Sequence, residues 1–144
     1  MPAFVLNLGD PEGAKEFAKL DAFTRGYIEA MFFTECNEDN PDLVDGAVPD
    51  LAPSALASIH ADCEAFCQTG AFQFAMWLRV IELATFDDEQ AGRDFWFTRN
   101  GHGVGFWDRD AKVYGTAQDA LSEAAQAIGE TYLYRGDDGK LYVQ

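Results

Sequence analysis

A chain of 144 residues that is 48% hydrophobic and 14% aromatic is long enough for one domain with an enclosed core, and too apolar for a disordered acidic tail. Ten Lys and Arg stand against 25 Asp and Glu, a formal net charge of −15. Such a surface repels phosphate backbones, which disfavours direct nucleic-acid binding and favours a partner that itself carries a basic groove.

The start, Met1-Pro2-Ala3, lacks the basic residues and long apolar run of a signal peptide. No apolar run approaches the ~20 residues of a membrane helix. Three cysteines, an odd number, argue against a disulfide framework. The expected compartment is the cytoplasm. Phe4 to Leu8 reads as a short strand. Asp10-Pro11 reads as the cap and first position of a brief helix, since Gly13 follows.

Asp21 to about Thr34 is a stronger helix. Phe23, Tyr27 and Met31 recur every four residues, and Ile28 and Phe32 broaden the stripe, so more than one of its surfaces should be covered. Gly26 there costs roughly 1 kcal/mol in propensity, which points to close approach by a neighbour. Glu35 to Asp50 reads as a loop carrying Glu35, Glu38, Asp39, Asp42, Asp45 and Asp50, two prolines and no base. Its spacing does not fit a calcium-binding loop, because Pro41 sits where the oxygen cage should close. A solvated connector is one reading. A protruding row of carboxylates that occupies a site built for phosphates is the other. The first fifty residues hold 11 acids and 3 bases, so more than half of the net charge lies in about a third of the chain.

Pro53 opens a helix to about Gln68, with Leu56, Ile59, Cys63, Phe66 and Cys67 on its apolar side. His60, Cys63 and Cys67 have zinc-ligand chemistry, but a tetrahedral site needs a fourth ligand and the spacing is not that of a zinc knuckle; buried thiols beside an exposed or satisfied His60 are expected instead. After Thr69-Gly70, Ala71 to Ala84 is a helix apolar nearly all round, with only Arg79 and Glu82 charged. Such a helix is either central or covers a partner, including a second copy of the chain. Asp87 to Gln90 resembles a capping box for a single turn ending at Gly92.

The run from Asp94 to Arg109 then reads as a β-hairpin. Phe95 and Phe97 alternate with Asp94, Trp96 and Thr98, Asn100-Gly101 suits a tight turn, and Gly105-Phe106-Trp107 returns as the second strand. Asp108 to Gly115 reads as a polar turn. Thr116 caps a helix from Ala117 to about Ile128, ended by Gly129. A second hairpin pairs Tyr132-Leu133-Tyr134 with Leu141-Tyr142-Val143. The expected fold is therefore α+β: one domain over 1–144, an antiparallel sheet of about four strands made of two hairpins, with N-terminal helices and one inter-hairpin helix packed on it.

His102 between two glycines, near Asp94, Arg99, Asp108 and Arg109, is the strongest candidate for proton transfer, as a base or a ligand-binding group. Against it, a proton-transfer site normally has a second titrating group facing the first, and the simpler account gives the glycines to turn geometry. Gly101, Gly103 and Gly105 join two expected strands instead of leading from a strand into a helix, so they do not make a phosphate loop. No cofactor or metal is expected.

The string Asp94-Phe95-Trp96-x-Thr98-Arg99-Asn100-Gly101-His102-Gly103-x-Gly105-Phe106-Trp107-Asp108-Arg109 resembles the signature of a family of small, largely uncharacterised bacteriophage and prophage proteins. Asp21 to Ala30 and Leu121 to Gly139 are similar to that family as well, whereas Thr69 to Phe86 departs from it. The resemblance implies a phage or mobile-element origin and action inside a host cell, and it brings no catalytic residues with it. Charge and resemblance together point to an acidic inhibitor of a host nucleic-acid-handling defence protein, of the anti-CRISPR or anti-restriction class, acting by charge mimicry through Glu35, Glu38, Asp39, Asp42, Asp45 and Asp50. Two alternatives stand beside it: a small enzyme or ligand-binding protein using the His102 hairpin, and a phage scaffold or assembly protein that oligomerises through the 71–84 helix.

Overall fold

A computed structural model describes residues 11–144; the expected strand Phe4–Leu8 and the capping Asp10 lie outside the described residues. Helix α1 (Pro11–Ala18) leads into α2 (Ala22–Glu35), whose N-cap Asp21 accepts from the Thr24 amide. After the acidic loop come α3 (Pro53–Cys67) and α4 (Gly70–Val80), the latter capped by Thr69. Helix α5 (Asp88–Arg99) follows, capped by the Asp87 carboxylate, which accepts from the Gln90 amide at 2.8 Å. A 3-10 turn at Phe106–Asp108, the one-turn α6 (Ala111–Tyr114) and α7 (Gln118–Ile128) complete the helical part. Strands β1 (Leu133–Arg135) and β2 (Leu141–Val143) form one antiparallel pair, with Tyr134 opposite Tyr142.

The four-stranded sheet is thus overturned. Among the described residues the only sheet is β1–β2, and the fold is mainly helical. The expected hairpin at 94–109 is the second half of α5 followed by a glycine-rich turn. Its Asn-Gly pair serves a different end: Gly101, at φ 69°, ends the helix, its amide reaching Thr98 O at 3.3 Å while the His102 amide reaches Phe97 O at 3.0 Å. That is a Schellman cap, and it demands the same left-handed glycine as a tight hairpin turn. The two-residue alternation misled because α5 is enclosed on most sides: Asp94, Phe95, Trp96, Thr98 and Arg99 are all buried, so no amphipathic stripe marks the helix. The Asp87 cap therefore opens three turns, not one.

Helices α2 and α5 meet backbone to backbone. A Cβ on Gly26 would lie 2.0 Å from Glu89 O, and one on Gly92 would lie 1.9 Å from Phe23 O. Gly26 permits close approach, as its position suggested, and Gly92 answers it from the other helix. Around this contact the rings interlock: Phe66 stacks on Phe95 at 4.3 Å and on Phe106 at 5.5 Å, and Tyr27 meets Trp96 edge-on at 5.3 Å. Gly105 makes room for the Thr98 hydroxyl, which accepts from the Phe106 amide at 3.0 Å.

The expected polar turn at 108–115 contains α6, whose Tyr114 is buried. Helix α7 starts after a 3-10 turn and has no side-chain cap from Thr116. It packs through Leu121 and Ala125 chiefly on α5, not on a broad sheet. Strand β2 is fastened beside the start of α3, where the Ala52 amide donates to Leu141 O at 2.9 Å. No helix of the described residues is long and apolar enough to cross a membrane.

Candidate functional site

The acidic segment after α2 is a built structure. The Asn37 amide group donates to Thr34 O at 2.8 Å and its carbonyl accepts from the Asp39 amide; Asn40 reaches back to Glu35 O at 2.9 Å. Leu43, Ala47 and Val48 are buried and anchor the far side. These asparagine-braced turns leave Glu38, Asp39, Asp42 and Asp45 exposed. The other two predicted acids are placed differently. Glu35 is half-buried on the last turn of α2, and desolvation raises its pKa, with His102 pulling it down. Asp50 turns inward to accept from the Ala47 amide at 3.0 Å.

Arg135, at the end of β1, clasps this loop. Its Nε donates to Asp42 O at 2.9 Å, one terminal nitrogen reaches the Asp45 carboxylate at 3.0 Å, and the other bonds Gly139 O at 2.7 Å. The clasp brings the β1–β2 turn, with exposed Asp137 and Asp138, to the same end of the molecule as the acidic loop. Asp138 is held by the Tyr142 hydroxyl at 2.6 Å and the Lys140 amide at 3.0 Å, and both bonds lower its pKa. Between loop and strand runs a cleft of about 420 Å³, lined by Asn40 to Leu43 and by Leu133 to Gly136. Sequence reasoning missed Asp137 and Asp138. The Asp-Asp-Gly turn is visible in the chain, but its neighbour Asp45 is some ninety positions away.

The second candidate set, Asp94, Arg99, His102, Asp108 and Arg109, is dispersed. Asp94 is fully buried and receives Arg109 through both Nε and a terminal nitrogen, the shortest contact 2.6 Å, and the Tyr114 hydroxyl at 2.5 Å. Burial and the adjacent carboxylate push the Tyr114 pKa far up. Arg99 serves a separate network, donating to Gly129 O at 2.7 Å, Asp62 at 2.8 Å and the Tyr27 hydroxyl at 3.1 Å. His102 lies half-exposed near the rings of Trp96 and Phe97, and Asp108 is exposed. The structure brings Asp94 and Arg109 together, as a tie between α5 and the turn before α6, and leaves His102 out of that tie.

His60 is exposed, 3.9 Å from Asp21 and 3.7 Å from Glu64, while Cys63 is buried behind it and Cys67 half-buried. Among the described residues no group of three His, Cys, Asp or Glu side chains is arranged to hold a metal ion. All six arginines are engaged in ion pairs: Arg25 with Glu89, Arg79 with Asp88, Arg93 with Glu29, Arg99 with Asp62, Arg109 with Asp94 and Arg135 with Asp45. The four lysines, Lys15, Lys19, Lys112 and Lys140, are exposed, and carboxylates outnumber them on the surface. Comparison with known protein families, curated proteins and solved structures finds no match.

Proposed function

We propose that the protein is an acidic inhibitor of phage type that binds a host nucleic-acid-handling defence protein, of the anti-CRISPR or anti-restriction class, and fills its basic nucleic-acid groove with carboxylates. One observation carries the reading: the Arg135 clasp ties the loop of exposed Glu38, Asp39, Asp42 and Asp45 to the β1–β2 turn that carries exposed Asp137 and Asp138. The braced turns hold these groups before binding, which reduces the ordering cost of association. The net charge of −15 steers the molecule toward a positive groove and away from free nucleic acid. The resemblance of the 94–109 string to phage proteins supplies the biological setting.

Capture from host lysate at low and high salt tests the proposal. A nucleic-acid-handling complex should be retained at low salt and released at high salt, because exposed charge pairs are screened. Changing Glu38, Asp39 and Asp42 to Lys should abolish inhibition of that complex while the melting temperature stays within a few degrees. Full inhibition by this triple variant would remove the loop from the mechanism.

A further inference from the structure

The surface of α4 carries a different message from the acidic end. Phe74 is 41% exposed, Trp77 55%, Val80 77%, Ile81 41% and Leu83 61%, and the Phe74 and Trp77 rings stack at 6.2 Å. Phe74, Trp77 and Ile81 recur at intervals of three and four, the spacing of a seam that packs against another helix. The opposite side of α4, through Phe72, Ala75 and Leu78, is already buried in the core. With full residue areas of roughly 150–250 Å², the five side chains expose on the order of 500 Å² of apolar surface, near the upper end of the largest patch on a typical monomer. That is more than half of the ~800 Å² one partner contributes to a standard interface.

Few charges border the region. Arg79 is paired with Asp88 at 2.8 Å, and at the rim one acid, Glu82, and one base, Lys112, are both exposed beside Leu83. On a chain of net charge −15, this is where two copies can meet without opposing carboxylates. We propose that the α4 face is a self-association surface, closing a two-fold dimer in which α4 helices pack antiparallel. An axis passing beside Trp77 sets Phe74 of each copy against the partner's Ile81, and the rim completes the area. Helix α4 ends at Val80, and Glu82 then adopts a left-handed φ of 66°, so that the Leu83 amide turns back to donate to Leu78 O at 2.8 Å and Leu83 stands exposed at the end of the helix. Closure at two follows from the isologous geometry, which uses up the face on both copies.

Sedimentation of the full chain from low-micromolar to sub-millimolar concentration tests this. The mass should rise to twice that of one chain and stop there. Trp77 fluorescence should shift to the blue over the same range. Val80→Glu and Trp77→Ser should each remain at the mass of one chain with an unchanged circular dichroism spectrum; Val80 is so exposed that its replacement spares the core. The dimer should persist or tighten as salt is raised, because screening relieves repulsion between two acidic copies. Capture of a defence complex should weaken under the same change, so the two proposals fail separately. A wild-type chain that stays monomeric throughout overturns the dimer. So does a dimer that both variants retain, a mass that climbs past two chains, or occupation of the face by a different protein.

Discussion

Asp94 shows what a single buried charge does here. Its two oxygens receive the Arg109 fork and the Tyr114 hydroxyl, so the carboxylate ties α5 to the 106–109 turn and to α6. Breaking a buried pair leaves an uncompensated group, so Asp94→Ala should cost about 3 kcal/mol or more. Tyr114→Phe removes one bond to the charged group and should cost about 2 kcal/mol. Urea unfolding midpoints check both. The cysteines supply a pH prediction. Burial pushes Cys36 and Cys67 up to about 12 and Cys63 well above its usual value. Their folded pKa values exceed the unfolded ones, so their contribution to stability is complete below the unfolded thiol value, ~8.5, and is lost as pH rises toward about 12. The urea midpoint should fall between pH 8.5 and 11, and native alkylation at pH 8 should be much slower than in urea. Rapid alkylation of all three native thiols would contradict the burial that raises them.

At the scale of elements, the α2–α5 contact decides the fold. Gly26→Ala gains ~1 kcal/mol in helix propensity but drives a methyl into Glu89 O. The clash should win, destabilising the protein by about 3 kcal/mol or more, since neither backbone has room to give. Gly70→Ala is the control: nothing lies within 4 Å, so stability should hold or rise slightly. Thermal melts of the two variants separate propensity from packing. The same elements show what was readable in the chain. Helix α2, helix α3 and the β1–β2 hairpin each carry a cap, a stripe or a turn that is locally decisive. The run 94–109 does not, because Gly101 satisfies a Schellman cap as well as a hairpin. Neither does α4, whose all-round apolarity pointed first to burial within the domain, with a covered surface as the rival; the structure puts one side in the core and the other in solvent.

For the whole molecule, charge and core act separately. Net charge of −15 loads the folded state with repulsion, while the six arginine pairs relieve only part of it. Raising salt from about 10 mM to 0.3 M, well past the screening length of exposed charges, should increase the melting temperature. A decrease would mean that the ion pairs outweigh the repulsion. The sequence alone determined an apolar core, a net acidic charge, the Asp87 and Gly129 caps and the terminal hairpin, because composition, capping and tight turns depend on residues a few positions apart. Tertiary structure decided that 88–99 is a helix, that His102 stands apart from Asp94 and Arg109, and that Asp137 and Asp138 join the acidic loop. Those outcomes depend on contacts between distant positions, such as Gly26 with Glu89 and Arg135 with Asp45, whose geometry no local pattern encodes.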